Sequence, residues 1–139
     1  MHIVQKSAPQ ARDYIRQKLI EYNTAQLPPG LQEPKEEISF HLENDAGEVI
    51  GGVAATMYWE HLHIDFFWVD ECCRHEGHGS RLLREVERFA REKGCRLIVL
   101  DTLSFQAPAF YQKHGYQVFG VLEDHPRGFS QTFLHKRLG

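Results

Sequence analysis

Apolar residues recur along this chain with two periods, and the switches between them divide it into elements. Ala11, Tyr14, Ile15, Leu19 and Tyr22 keep helical spacing, with Lys18 the one polar break in the stripe. Ser7 precedes them, Gln10 stands three residues on as a capping-box partner and Pro9 falls in the first turn, so a helix is expected to open at Ser7. Leu27-Pro28-Pro29-Gly30 stops it, and the polar, proline-containing stretch up to Glu37 reads as a loop. From Ile38 the period becomes two. Ile38 to Leu42 alternates as a strand, Asn44-Asp45-Ala46-Gly47 is turn chemistry, and Val49 to Tyr58 continues as the second strand of a hairpin. Gly51-Gly52 within it predict a bulge or a close backbone approach. Leu62 to Val69 forms a third strand. Leu62, Ile64, Phe66 and Trp68 are expected on one face, with His61, His63, Asp65, Phe67 and Val69 on the other.

A glycine-containing turn then leads into a strongly amphipathic helix that begins at about Ser80. Its apolar stripe is Leu82, Leu83, Val86, Phe89 and Ala90, with Arg81, Arg84, Glu85, Glu87, Arg88 and Arg91 outside it, and Lys93-Gly94 ends it. Arg96 to Leu100 is a short apolar strand suited to burial on both faces. Ala107 to Lys113 is a short helix closed by His114-Gly115, and the strands Tyr116 to Leu122 and Phe129 to Lys136 flank the loop Glu123 to Gly128. The strand-helix-strand unit from Leu62 to Leu100 implies a parallel pair with a right-handed crossover, and the remaining pairs are antiparallel. The expected class is α/β (α+β): a mixed, mostly antiparallel central sheet with flanking helices, in one domain over residues 1–139.

Composition narrows the class. With 42% hydrophobic residues and nine phenylalanines the chain can bury a core without a disulfide or metal. A formal charge of −3 argues against nucleic acid or an anionic membrane as the main partner, although nine histidines add positive charge below neutral pH. Cys72, Cys73 and Cys95 make an odd total with two adjacent, which is neither a disulfide framework nor a metal motif; they read as reduced thiols of a cytoplasmic protein. Met1 to Gln10 lacks the apolar core and cleavage site of a signal peptide, and no apolar run approaches the ~20 residues of a membrane span.

The informative stretch is Val69-Asp70-Glu71-Cys72-Cys73-Arg74-His75-Glu76-Gly77-His78-Gly79-Ser80. A strand that runs through a glycine turn into a helix presents consecutive N–H groups at the positive end of a helix dipole, which suits a pyrophosphate. Gly77 and Gly79 remove side chains that would block approach, and Arg74 adds a cation. The P-loop spacing is absent, and Leu82 stands where a dinucleotide fingerprint needs a third small residue. The bland alternative is a turn that merely joins strand to helix.

Arg74-x-x-Gly77-x-Gly79 after a strand ending in Val69, followed by a Leu-Leu helix, resembles motif A of the GNAT superfamily of N-acetyltransferases. Ala107-Pro108-Ala109-Phe110-Tyr111-Gln112-Lys113-His114-Gly115-Tyr116 resembles that family's motif B. The resemblance covers essentially the whole chain and implies acetyl-CoA as cosubstrate, no metal, and direct transfer to an amine in a ternary complex. It implies that Phe67 to Val69 pair with the pantetheine arm and that Arg74, His75, Glu76, Gly77, His78, Gly79 and Ser80 hold the pyrophosphate. The strand of Val69 and the next parallel one must then splay. Where many members carry an Asn that contacts the pantetheine, this chain has Ser104. A GNAT-like domain that binds acyl-CoA as a sensor or scaffold, without chemistry, is the alternative.

For catalysis the resemblance places the general acid at Tyr111, whose other reading is a packed ring with one hydrogen bond. His63 and Asp65 are polar residues on a strand that should be apolar on both faces, so either is a candidate base if it faces the cleft; the competing reading is a structural His-Asp pair. His61-x-His63 lacks a third ligand for a metal, and Cys72 and Cys73 lack a histidine partner for covalent catalysis. The acceptor, a small-molecule amine or a lysine side chain, is expected near the loop Leu27 to Glu37, the turn Tyr58-Trp59-Glu60 and the loop Asp124 to Gly128. Glu33, Glu36, Glu37, Trp59, Glu60 and Asp124 would suit a cation, or are an ordinary solvated surface. Family members often pair through their sheets, which leaves a homodimer open.

Overall fold

The computed structural model describes residues 1–139 and divides them into two compact units, Met1–Pro34 and Lys35–Gly139. The first unit holds α1 (Pro9–Gln26) and a 3₁₀ turn at Pro29–Leu31. Ser7 does not cap α1: the N-cap is Ala8, with no side-chain cap hydrogen bond, and Pro9 opens the first turn. At the other end the Gln32 side-chain amide donates to the carbonyls of Thr24 (3.1 Å) and Leu27 (2.9 Å), occupying acceptors the helix leaves over.

The second unit carries β1 (Glu36–Glu43), β2 (Val49–Tyr58), β3 (His61–Val69), α2 (His78–Glu92), β4 (Leu97–Leu103), α3 (Pro108–Lys113), β5 (Gln117–Glu123) and β6 (Ser130–Arg137). The strands form one sheet in the order β1-β2-β3-β4-β6-β5, antiparallel except for the β3–β4 pair. That is the mixed sheet the alternation predicted. Leu62, Leu83, Val86, Ile98, Leu100 and Leu134 are fully buried in one core cluster built from α2 and the sheet. Each such side chain contributes about 1.5–3 kcal/mol relative to exposure. Phe40 of β1 meets Phe89 of α2 edge-on at 5.5 Å. No helix is long and apolar enough to cross a membrane.

Three local features differ from the sequence reading. In β3, Ala54 pairs with Phe66 and Ala55 with Ile64, so Asp65 is an extra, bulged residue. The bulge exchanges the faces after Ile64. Leu62, Ile64, Phe67 and Val69 share the core side, while Phe66 and Trp68 join His61 and His63 on the outer side. Unbroken alternation concealed this, because residues 66–69 are all apolar. Second, β4 runs on to Leu103 because Asp101 and Thr102 continue pairing with β6; Thr102 is buried with its hydroxyl donating to Gln106 Oε1 at 3.1 Å. Third, Glu87, assigned to the solvent face of α2, is only 6% exposed. Its Oε2 accepts from Tyr116 Oη and from Lys136 Nζ, both at 2.9 Å, and Lys136 also donates to the His114 carbonyl at 2.8 Å. The glycine pair of β2 marks a close approach: a Cβ on Gly52 would stand 2.8 Å from the Phe40 carbonyl oxygen. The neighbouring register shift falls at Ile50.

Candidate active site

β3 and β4 pair at only three positions, His61 with Leu97, Leu62 with Ile98 and His63 with Val99. Beyond them β3 stays on β2 as far as Val69 with Gly51, and β4 stays on β6 as far as Leu103 with Gln131. The two strands therefore diverge after His63, at the bulged Asp65. The β3 edge from Ile64 to Val69 has no strand beside it on that side, so it can pair with an extended ligand as with an added strand. Phe67 and Val69 lie on this edge.

Past Val69 the chain makes a 3₁₀ turn, Glu71–Cys73, capped by Asp70, whose Oδ1 accepts from the Cys72 N–H at 3.0 Å. Arg74 follows and donates from Nε to the Val69 carbonyl at 3.0 Å, which fixes its guanidinium at the end of β3. α2 starts at His78, two residues earlier than its apolar stripe suggested, with Gly77 as N-cap at φ 81°, a left-handed conformation that favours glycine. The first helical bond runs from Arg81 N–H to the Gly77 carbonyl, so the amides of His78, Gly79 and Ser80 have no helical partner. They form the donor set an anion would meet.

The glycines of this loop differ in purpose. Gly77 has open space where a Cβ would stand, and its conformation is the constraint. A Cβ on Gly79 would press on the Phe110 ring at 3.3 Å and approach Phe67 at 4.0 Å, so Gly79 lets α3 pack against the first turn of α2. Ser80 Oγ lies 3.0 Å from His114 Nε2, tying the same two helices. His78 Nε2 lies 2.9 Å from Glu76 Oε2, which places one carboxylate beside the free amides. His75 is held at φ 68° within the loop.

Tyr111 of α3 is buried on the core side of the diverging strands. Its ring meets Phe67 edge-on at 6.0 Å, Phe110 at 5.1 Å and Tyr116 at 5.8 Å. Burial pushes its hydroxyl up to about 12, so it stays a protonated donor through the physiological range.

On the outer face, at the mouth of the divergence, Asp65 joins two strands. Its Oδ2 accepts from Thr56 Oγ1 at 2.5 Å and its Oδ1 lies 2.8 Å from His63 Nδ1. With Nδ1 held by the carboxylate, Nε2 is the nitrogen left to accept a proton. His63 and Asp65 thus pair, as the structural alternative had it, and they do so where β3 and β4 diverge. Thr56 escaped the sequence reading, because only the β2–β3 register brings it opposite His63. Asp101 escaped it too: it follows Val99, the partner of His63, on the same face of β4, and accepts from Gln131 Nε2 at 2.9 Å.

Ser104 prolongs the β4–β6 contact. Its Oγ accepts from the Ser130 N–H at 3.0 Å, and its own N–H donates to the Ser130 carbonyl at 2.8 Å. Of the proposed acceptor segments, the turn at Trp59 and Glu60 abuts the closed end of the cleft, where His61 pairs with Leu97. The loop Asp124 to Gly128 leads into Ser130 and so lies at the end where Ser104 closes β4; there Phe105 and Phe129 stack edge-on at 5.1 Å.

Comparison with known proteins agrees with this architecture. Residues 8–116 match the family model described as Acetyltransferase (GNAT) family. Blasticidin-S acetyltransferase of Streptomyces morookaense is 39% identical over 106 residues, 76% of this chain and 78% of that protein. The crystal structure of an acetyltransferase from Bacillus cereus ATCC 14579 is 52% identical and superposes with a TM-score of 0.95, covering 99% of this chain and 98% of that one. A Bacillus anthracis acetyltransferase solved in complex with acetyl coenzyme A shares the fold at 22% identity and a TM-score of 0.66, covering 77% of this chain and 65% of that one. With its diverging parallel strands and glycine-capped second helix, this chain belongs to the GNAT family of acetyltransferases.

Proposed function

We propose that this protein transfers the acetyl group of acetyl-CoA to the primary amine of a small molecule, by direct attack in a ternary complex. One observation carries the reading: a protonated phenol, Tyr111, stands on the core side of the β3–β4 divergence, and a carboxylate-held imidazole, His63, stands at its outer face. Acetyl-CoA supplies a thioester whose carbonyl an amine can attack. The β3 edge at Phe67 and Val69 pairs with the pantetheine arm. Arg74 and the loop amides from His75 to Ser80 take the pyrophosphate, with the hydroxyl of Ser104 at the far lip. His63 accepts the proton that the amine loses, while Asp65 and Thr56 hold its ring. Tyr111 donates a proton to the departing sulfur.

The family supports this chemistry, and the relative that acts on blasticidin-S supports a small-molecule acceptor over a lysine side chain. We place the protein in the cytoplasm, in keeping with three free cysteines. Thiol release from acetyl-CoA in the presence of an amine panel tests the proposal. Turnover on small amines, with Tyr111→Phe lowering kcat by roughly a hundredfold and leaving acetyl-CoA affinity within about twofold, is the expected result. Tight acetyl-CoA binding with no turnover on any amine class would identify a sensor instead. A wild-type rate for Tyr111→Phe would remove the acid.

A further inference from the structure

The adjacent thiols of Cys72 and Cys73 have no part in the proposed chemistry, yet their geometry is specific. The Sγ atoms lie 3.0 Å apart, Cys72 exposed and Cys73 half-buried, while Cys95 is buried elsewhere. Both sit in the 3₁₀ turn that delivers the chain to Arg74. Cys72 N–H donates to Asp70 Oδ1 at 3.0 Å, Cys73 N–H donates to the Asp70 carbonyl at 2.9 Å, and Arg74 N–H reaches the Glu71 carbonyl at 3.4 Å. We infer that this pair is an oxidation site, at which a hydroperoxide closes a Cys72–Cys73 disulfide and so weakens coenzyme binding at the adjoining loop. The second half rests on the proposed phosphate role of Arg74 and the amides after it.

The spacing of the sulfurs makes the steps sequential. The Sγ atoms lie 3.0 Å apart, so a sulfur oxidised by peroxide is already within reach of its neighbour; the closing attack falls to Cys72 and the first to Cys73. Its thiolate takes the terminal peroxide oxygen, the O–O bond breaks, and alcohol or water leaves with a proton from solvent, giving a sulfenic acid on Cys73. The Cys72 sulfur then attacks the Cys73 sulfur, the S–O bond breaks, and the hydroxyl departs as water with the Cys72 proton. The two sulfurs together give up two electrons, and the peroxide takes up two.

Closure disturbs the turn for a geometric reason. The Cys72–Cys73 peptide is trans. Neighbouring Cα atoms across such a bond lie about 3.8 Å apart. Unstrained disulfides span about 4.4–6.8 Å between Cα atoms. No φ or ψ rotation lengthens that span, so closing the bond strains the turn at Cys72–Cys73, and Arg74 is its next residue. The same strain makes the disulfide easily reduced, which keeps the pair open in a thiol-rich compartment and suits a reversible mark.

The test treats the full chain with hydrogen peroxide and follows intact mass, peptide mapping and acetyl-CoA affinity, a probe with no free thiol of its own. The expected result is a mass lower by two hydrogen atoms on the peptide bearing both cysteines, affinity reduced about tenfold, and recovery of both with dithiothreitol. Cys72→Ser should instead gain oxygen on Cys73 and lose the reversible shift. Oxygen addition to the wild type, disulfide-linked dimers, or a closed disulfide with unchanged affinity would each overturn the inference. If the reduced protein fails to bind acetyl-CoA, the phosphate-loop reading fails, and the mass change still decides whether the disulfide forms.

Discussion

A Cβ placed on Gly79 would stand 3.3 Å from the edge of the Phe110 ring, so the first turn of α2 and the body of α3 approach as closely as a missing side chain permits. Gly79→Ala should therefore cost roughly 1 kcal/mol or more, the lower range for an overpacked contact. Phe110→Leu in the same chain should recover part of it, because the clash is with a ring edge. Gly77→Ala should cost about 1–2 kcal/mol for a different reason, its φ of 81°, and Phe110→Leu should not relieve it. Urea unfolding of the four variants separates packing from conformation; equal rescue of both glycine substitutions would refute the distinction.

Glu87 gathers the Tyr116 hydroxyl and the Lys136 ammonium on one carboxylate oxygen in a nearly closed space. Removing one partner of a buried pair leaves the other uncompensated, so Glu87→Leu should lose roughly 3–5 kcal/mol. Glu87→Leu with Lys136→Met should lose markedly less than the sum of the single changes. A double-mutant cycle that shows additive losses would mean the pair does not interact in solution.

Tyr111 sets a testable alkaline limb. Its hydroxyl titrates at about 12 in the folded chain against a usual 10.0. Between those values the native state retains a proton that the unfolded state has released. Stability should thus fall as pH rises from about 10 and level off past about 12, by roughly 3 kcal/mol in all. Burial and Glu87 raise Tyr116 in the same direction, so the informative quantity is the wild type minus Tyr111→Phe. Parallel melting curves for the two between pH 9 and 11, a window set by the phenol's usual range, would show that Tyr111 is not shielded as described.

The Thr56–Asp65–His63 arrangement predicts a graded series. His63→Gln should lower kcat/KM for the amine by roughly a hundredfold, within the usual span of a general base. Asp65→Asn should follow it, since the amide lacks the charge that favours a proton gained by the imidazole, and Thr56→Val should lose only about threefold to tenfold. The KM for acetyl-CoA should stay within about twofold throughout. A loss that is largest for Thr56→Val would assign the cluster to structure rather than proton transfer.

Alternation and turn chemistry made most of the elements legible: helices around Leu82 and Tyr111, six strands, and the loop from Arg74 to Ser80 with its glycines. These follow from local periodicity and backbone preference, which neighbouring residues carry without reference to the rest of the chain. The bulge at Asp65 was hidden because Phe66 to Val69 are apolar on either face, and only the register against β2 shows which side each takes. Pairing across the sheet likewise set Thr56 against Asp65, carried Asp101 past Val99 on the lip of the cleft, and drew Glu87 inward to Lys136 and Tyr116. Such partners are distant in the chain and meet only when strands and helices close on one another, so no local pattern announces them. The residue types written into the chain selected the chemistry; the three-position pairing of β3 with β4, a property of the folded sheet, opened the space in which it can occur.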